Sequence, residues 1–121
     1  MILADTSVWI GYFRGEESTE EMGRFLDEGQ VLLHPWILGE LLLGNLGKDR
    51  HAVARDLRRL PAAPRIDDEE QLRFVEARNL PGRGIGWVDA QLLASALASE
   101  SRLWTLDRKL AKVASELQVA L

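Results

Sequence analysis

An α/β sandwich around a mainly parallel sheet is the fold class that this sequence predicts. Short apolar runs alternate with longer segments of helical periodicity along the whole chain. Two of those runs end on an aspartate, Asp5 and Asp107, and in open parallel sheets the carboxyl ends of strands are where ligands bind. The length of 121 residues fits one domain over 1–121, able to bury roughly two-thirds of the surface that its unfolded chain exposes.

The elements follow in order. Ile2-Leu3-Ala4 reads as a buried strand ending at Asp5. The segment GEESTEEMGRFLDEGQ predicts a helix: Ser18 with Glu21 fits a capping box, acids crowd the first turn, and Gly29 closes the end. Val31-Leu32-Leu33 reads as the second strand, and Pro35 to about Gly44 as a short apolar helix with proline near its start. In GKDRHAVARDLRRLP, Val53, Leu57 and Leu60 recur at helical spacing until Pro61. Ala62 to Ile66 is a weak third strand. Asp67 or Asp68 caps the next helix, which carries Leu72, Phe74 and Val75 and stops near Asn79-Leu80-Pro81. GRGIG is a loop. Trp87 to Ser99 is apolar nearly all round, so that helix belongs deep inside. RLWTLD is a strand ending at Asp107, Arg108 to Leu117 a helix, and QVAL a candidate last strand.

Hydrophobic residues make up 46% and charged residues 28%, the balance of a globular domain. The absence of cysteine excludes disulfides, a thiolate nucleophile and a Cys-based zinc site. It suits a reducing compartment, and a cytoplasmic location is expected. MILADTSVW has no basic n-region and does not read as a signal peptide. No apolar run of about 18 residues is present to span a bilayer. The net charge of −4 argues against binding nucleic acid by charge alone, though not against holding it partly through cations.

Four acids stand out. Asp5 and Asp107 end strands, and each alone is equally consistent with a helix cap. Glu40 has Trp36, Ile37, Leu43 and Gly44 three and four positions away, which places it on a buried stripe. Asp89 faces Leu92 and Leu93, with N-capping as its plain alternative. An ionised carboxylate in apolar surroundings costs several kcal/mol unless paired or metal-bound. Neither Glu40 nor Asp89 has a local base. A hard divalent cation, Mg²⁺ or Mn²⁺, resolves the repulsion among four such acids. Thr6, Ser7 and Thr105 are the hydroxyls that can hold the carboxylates. Trp9, Trp36, Trp87 and Trp104 each lie within four positions of one of these acids, and core packing is the preferred reading over base stacking.

MILADTSVWI, ILGELLLG, GIGWVDAQLLASAL and LWTLDRKL, in this order and at these separations, resemble the PIN-domain family, and more closely the VapC toxins of bacterial type II toxin–antitoxin modules. The resemblance spans essentially the whole chain. It implies a three-layer α/β/α sandwich and a Mg²⁺- or Mn²⁺-dependent endoribonuclease that inhibits translation by cutting RNA. The family's acidic site maps onto Asp5, Glu40, Asp89 and Asp107. Asp5 and Asp89 are expected to bind metal directly, and Glu40 and Asp107 directly or through water. Many members carry a further acid two positions after the one at Asp107. Here Lys109 occupies that place, which leaves a second metal position open. The resemblance further implies a homodimer and a small VapB-like antitoxin whose C-terminal segment covers the acidic groove.

His34 and His51 lie outside the motifs and read as structural or exposed. Arg83, in the glycine loop, is the candidate for an RNA phosphate contact, against the plain reading of an exposed loop charge. The cations Lys48, Arg50, Arg55, Arg58 and Arg59 share their segment with Asp49 and Asp56, so a solvated helix face is preferred there. Two other classes compete: a catalytically inactive PIN-like interaction module, and a receiver-type phosphoacceptor domain. The second would want paired acids after the first strand, where this chain has Asp5 alone.

Overall fold

The computed structural model describes residues 1–121. Strands β1 (Ile2–Ala4), β2 (Val31–Leu32) and β3 (Arg102–Trp104) pair in the order β2-β1-β3, all parallel. Ile2 lies opposite Val31 and Arg102, and Ala4 opposite Trp104. Successive side chains of a strand point to opposite faces, yet all three residues of β1 are buried. Both faces of the central strand are therefore covered, as a parallel sheet requires, and the covers are helices.

Seven helices surround the sheet: α1 (Thr6–Phe13), α2 (Glu21–Asp27), α3 (Pro35–Leu43), α4 (Arg50–Arg58), α5 (Asp68–Ala77), α6 (Trp87–Ala98) and α7 (Arg108–Glu116). The predicted burial of the helix beginning at Trp87 is met, since Ala90 through Ala96 are all buried. None of the helices is long and apolar enough to cross a membrane.

Three expectations change. Thr6–Phe13, unassigned from sequence, is helical because the Asp5 side chain caps it, accepting from the Ser7 and Val8 amides. The helix expected from Ser18 breaks into a 3-10 turn at Glu17–Thr19 and a helix beginning at Glu21, and no side chain caps either. The reason is Thr19, fully buried against α1, whose hydroxyl donates to the Glu16 carbonyl. Gly11 makes room for that turn: a Cβ there would lie 2.9 Å from the Thr19 methyl and from Glu16 Oε2. The weak strands at Ala62 and in QVAL shrink to single parallel bridges, Leu33 with Ala62 and Leu103 with Ala120. Each still covers an outer edge of the sheet.

Candidate active site

The carboxyl ends of β1 and β3 lie side by side, because the Asp5 amide donates to the Trp104 carbonyl at 3.0 Å. This brings two chain segments a hundred residues apart into one polar cluster. Asp5 is the most enclosed of the four acids, at 8% exposure. Its Oδ1 accepts from the Ser7 amide (3.0 Å), the Ser7 hydroxyl and the Val8 amide (3.4 Å), and its Oδ2 accepts from the Thr105 hydroxyl at 2.5 Å. Ser7 Oγ in turn accepts from the Leu106 amide, and Thr105 Oγ1 from the Asp107 amide. The two hydroxyls thus brace the ends of the two strands against each other.

Asp107 caps α7, its Oδ1 accepting from Lys109 and Leu110 amides at 2.8 and 3.1 Å. Asp89 sits in the first turn of α6, its Oδ2 accepting from the Gly86 amide at 3.0 Å. The plain capping role is met in both residues and leaves part of each carboxylate unused. One oxygen holds the helix end, and the other accepts no hydrogen bond from the protein.

Glu40 corrects an expectation. It is exposed and not on a buried stripe. The face of α3 that enters the core is Ile37 and Leu41, and Leu43 is 90% exposed. Glu40 shares the open side of the helix with Gly39 and Leu43, while Trp36, Leu38 and Leu42 are half-buried, so burial does not force Glu40 to find a partner. Its position is set by the Thr6 hydroxyl, which donates to Oε2 at 2.5 Å. The Thr6 bond also ties α3 to the start of α1, beside Asp5.

Electrostatics links the four. Burial raises the Asp89 carboxyl above its ordinary 3.8, the Gly86 hydrogen bond opposes this, and Asp107, Asp5 and Glu40 each raise it further. None of the four acids takes part in an ion pair. As the side chains lie, no three of them close into a metal cage. The donor set is nevertheless all oxygen, unopposed by bases, and has a free carboxylate oxygen on three residues, the chemistry that a hard divalent cation prefers.

A raised folded-state pKa has a definite consequence for stability. The folded form favours the protonated carboxyl, so stability from this group is fully present below 3.8 and is lost as pH rises through the folded value. Asp89→Asn, which keeps an acceptor for Gly86, is expected to raise the melting temperature at neutral pH in chelator. The gain should vanish at acidic pH. Thermal unfolding at both pH values checks this, and a less stable variant at neutral pH would contradict it.

Other residues singled out by sequence fall elsewhere. Arg83 pairs with Glu116 at 2.6 Å, tying the glycine loop to the end of α7, so a phosphate contact would have to displace Glu116. Lys109 lays its stem over Gly84 (φ +79°), where a Cβ would meet its Cδ at 2.7 Å. Trp9 is buried and Trp104 packs edge-on against Phe25 at 5.9 Å, while Trp87 is half exposed. His51 is exposed on α4.

His34 is fully buried and belongs to a polar network that the sequence did not reveal. Its Nδ1 accepts from the Trp36 amide, capping α3, so the proton sits on Nε2 and is donated to Gln91 Oε1 at 3.0 Å. The Gln91 amide also bonds Ile66 N and O, at 2.7 and 3.0 Å, and donates to Gln71, which donates to the Trp87 carbonyl at 2.8 Å. These bonds join the starts of the two helices that carry Glu40 and Asp89. The available signal was Gln91 itself, a polar residue in a helix apolar all round.

The sequence matches the PIN domain family over residues 2–116. Ribonuclease VapC32 of Mycobacterium tuberculosis, from strains CDC 1551 / Oshkosh and ATCC 25618 / H37Rv, is 42% identical over 122 residues. That alignment covers 100% of this chain and 96% of the relative. The crystal structure of PAE2754 from Pyrobaculum aerophilum superposes with a TM-score of 0.64 at 19% identity, covering 99% of this chain and 87% of that one. At that identity the likeness speaks to fold.

Proposed function

This chain belongs to the PIN-domain family, and on that premise we infer that it is a VapC-type endoribonuclease, the toxin of a type II toxin–antitoxin module, folded as one domain over 1–121. The observation that supports this most is the convergence of Asp5, Glu40, Asp89 and Asp107 from four separate helix starts and faces. They are unpaired with any base, and three of them raise the pKa of the fourth.

Mg²⁺ or Mn²⁺ is the proposed cofactor, held directly by Asp5 and Asp89 and, directly or through water, by Glu40 and Asp107. When bound, such an ion supplies charge to polarise the scissile phosphate and to lower the pKa of an attacking water. The chain's own part is positioning. Ser7 and Thr105 fix both oxygens of Asp5, Thr6 fixes Glu40, and the helix ends fix Asp89 and Asp107. Preorganised groups of this kind need no rearrangement at the moment of reaction. Neither histidine serves as base: His34 has both ring nitrogens engaged in the core, and His51 lies on the outer face of α4.

A VapB-like antitoxin and a second copy of the chain are the proposed protein partners, and RNA the substrate. Expression of the chain alone in a bacterial cell should arrest growth. The arrest should disappear with Asp89→Asn, and sequencing of new RNA ends should show discrete cuts made only by the unsubstituted protein. Unimpeded growth with soluble protein present and no new RNA ends would overturn the proposal.

A further inference from the structure

His34, Gln71 and Gln91 are buried completely, each at 0% exposure, and none of their polar atoms is left without a partner. Gln91 Oε1 accepts from His34 Nε2 and from the Ile66 amide, and Gln91 Nε2 donates to the Ile66 carbonyl and to Gln71 Oε1. Gln71 Nε2 donates in turn to the Trp87 carbonyl at 2.8 Å. Pairing the Ile66 backbone needs Gln91 alone. The further links run to two other places, the N-cap of α3 at His34 and the first residue of α6 at Trp87. Glu40 and Asp89 stand on those two helices.

We propose that the buried His34–Gln91–Gln71 chain is a positioning device of the active site, fixing α3 against α6 so that Glu40 and Asp89 face one ion. The proposal rests on the divalent-ion reading of the four acids and names what sets their spacing. The fixed member is α6, in which seven consecutive residues, Ala90 to Ala96, are buried. The loosely held member is α3, where only Ile37 and Leu41 of nine residues are buried. Apolar contact is non-directional, so a stripe that narrow leaves the tilt of α3 to its polar ties. There are two: the Thr6 hydroxyl catches the Glu40 carboxylate, and His34 pins the start of the helix. Six residues of helical rise put Glu40 about 9 Å from that pin, so a tilt of about 10° swings it by roughly 1.5 Å. Mg²⁺ tolerates little departure from its octahedral geometry.

Hydrogen bonds are directional, and a fully satisfied buried network rigidifies the groups that it joins. Replacing both partners of a buried bond by apolar groups of the same shape is often near neutral for stability, so stability alone does not call for a polar chain from α3 to α6. On the other side of the chain, Asp89 is bracketed. Gln71 holds the carbonyl two residues before it, and Gln91 lies two residues after it. Gly86 offers no side chain to cap α6, so these bonds and that of Asp89 to the Gly86 amide hold the first turn.

The test uses the full chain in three variants. His34→Asn keeps an acceptor for the Trp36 amide, asparagine being a good N-cap, and loses the link to Gln91. Gln71→Met keeps the length of the side chain and loses the link to Trp87. Met22→Ala truncates a buried residue of α2, which carries none of the four acids, and controls for lost stability. The Mn²⁺ dissociation constant, read from paramagnetic broadening of amides, should rise about 10-fold in the first two and stay within ~2-fold in the third, groups behind metal ligands being worth about that much. In cleavage, kcat should fall in the first two and recover at high Mn²⁺, with KM for RNA unchanged. In metal-free His34→Asn, residual dipolar couplings of the α3 amides should no longer fit the alignment frame of α6. Parental Mn²⁺ affinity in both network variants, or equal weakening in Met22→Ala, would overturn the proposal. So would α3 couplings that still fit the α6 frame. If the parent takes up no Mn²⁺, the divalent-ion reading fails, while the couplings still decide whether the network fixes α3 against α6.

Discussion

Asp5→Asn is expected to reduce RNA cleavage by more than ~100-fold while leaving the fold in place. Asp5 is the most enclosed of the four acids, and all of its hydrogen bonds come from neutral donors, so no base offsets its charge. Removing that charge should weaken the hold on the proposed divalent ion. Electrostatic stabilisation by such a centre is worth several kcal/mol, and each 1.36 kcal/mol is tenfold in rate. The fold survives because asparagine retains one oxygen to cap α1, and capping asparagine and aspartate are nearly equivalent. Thr105 can reverse its hydroxyl to accept from the new amide. Single-turnover cleavage, with circular dichroism as the control, checks both halves. Retained activity would remove Asp5 from the reaction, and an unfolded variant would show that its main work is structural.

Gln91→Leu is expected to have the largest effect on stability. The leucine fits the apolar surroundings of α6 but strips partners from His34 Nε2, from Ile66 N and O, and from Gln71. Each buried polar group left unpaired costs ~1–3 kcal/mol. A total of at least ~3 kcal/mol is a large part of the ~5–15 kcal/mol that holds a domain together, and it should lower the melting temperature by about 10 °C or more. Gln30→Leu, on an exposed residue, is the control. A Gln91→Leu protein within ~1 kcal/mol of the parent would mean that the network is dispensable.

The same network gives the fold an acid limit. Burial lowers the His34 pKa below its ordinary 6.5, the Gln91 bond raises it, and Arg65 lowers it again. A depressed folded-state value means that the neutral ring contributes stability that is fully present above 6.5 and is lost as pH falls through the folded value. Protonating Nδ1 would also remove the acceptor that caps α3 at the Trp36 amide.

What could be read from sequence follows a physical pattern. Asp5, Asp89 and Asp107 were legible because each interrupts an apolar run at a strand end or a helix start, where an acid has either a cap to make or a ligand to hold. The parallel sheet was legible from the alternation of runs. Glu40 was singled out on an expectation of burial that the fold does not meet. An apolar helix that lines a groove has no polar face to mark its open side, so helical spacing alone assigned Glu40 to the core. TSVWIGYF stayed unassigned because its β-branched and aromatic residues favour a strand as much as a helix. Only the Asp5 cap, a tertiary fact as well as a local one, decides it. The His34, Gln91 and Gln71 network joins residues up to 57 positions apart, and no local pattern reports such a pairing.

The central claim is that Asp5, Glu40, Asp89 and Asp107 form one divalent-ion site. Titration of the isotope-labelled protein with substoichiometric Mn²⁺, followed by amide NMR, tests it most directly. Paramagnetic broadening should centre on Asp5 to Ser7, Glu40, Gly86 to Asp89 and Thr105 to Asp107, and Asp5→Asn should weaken it. Broadening centred instead on the acidic starts of α2 and α5, or spread evenly over the surface, would contradict the claim.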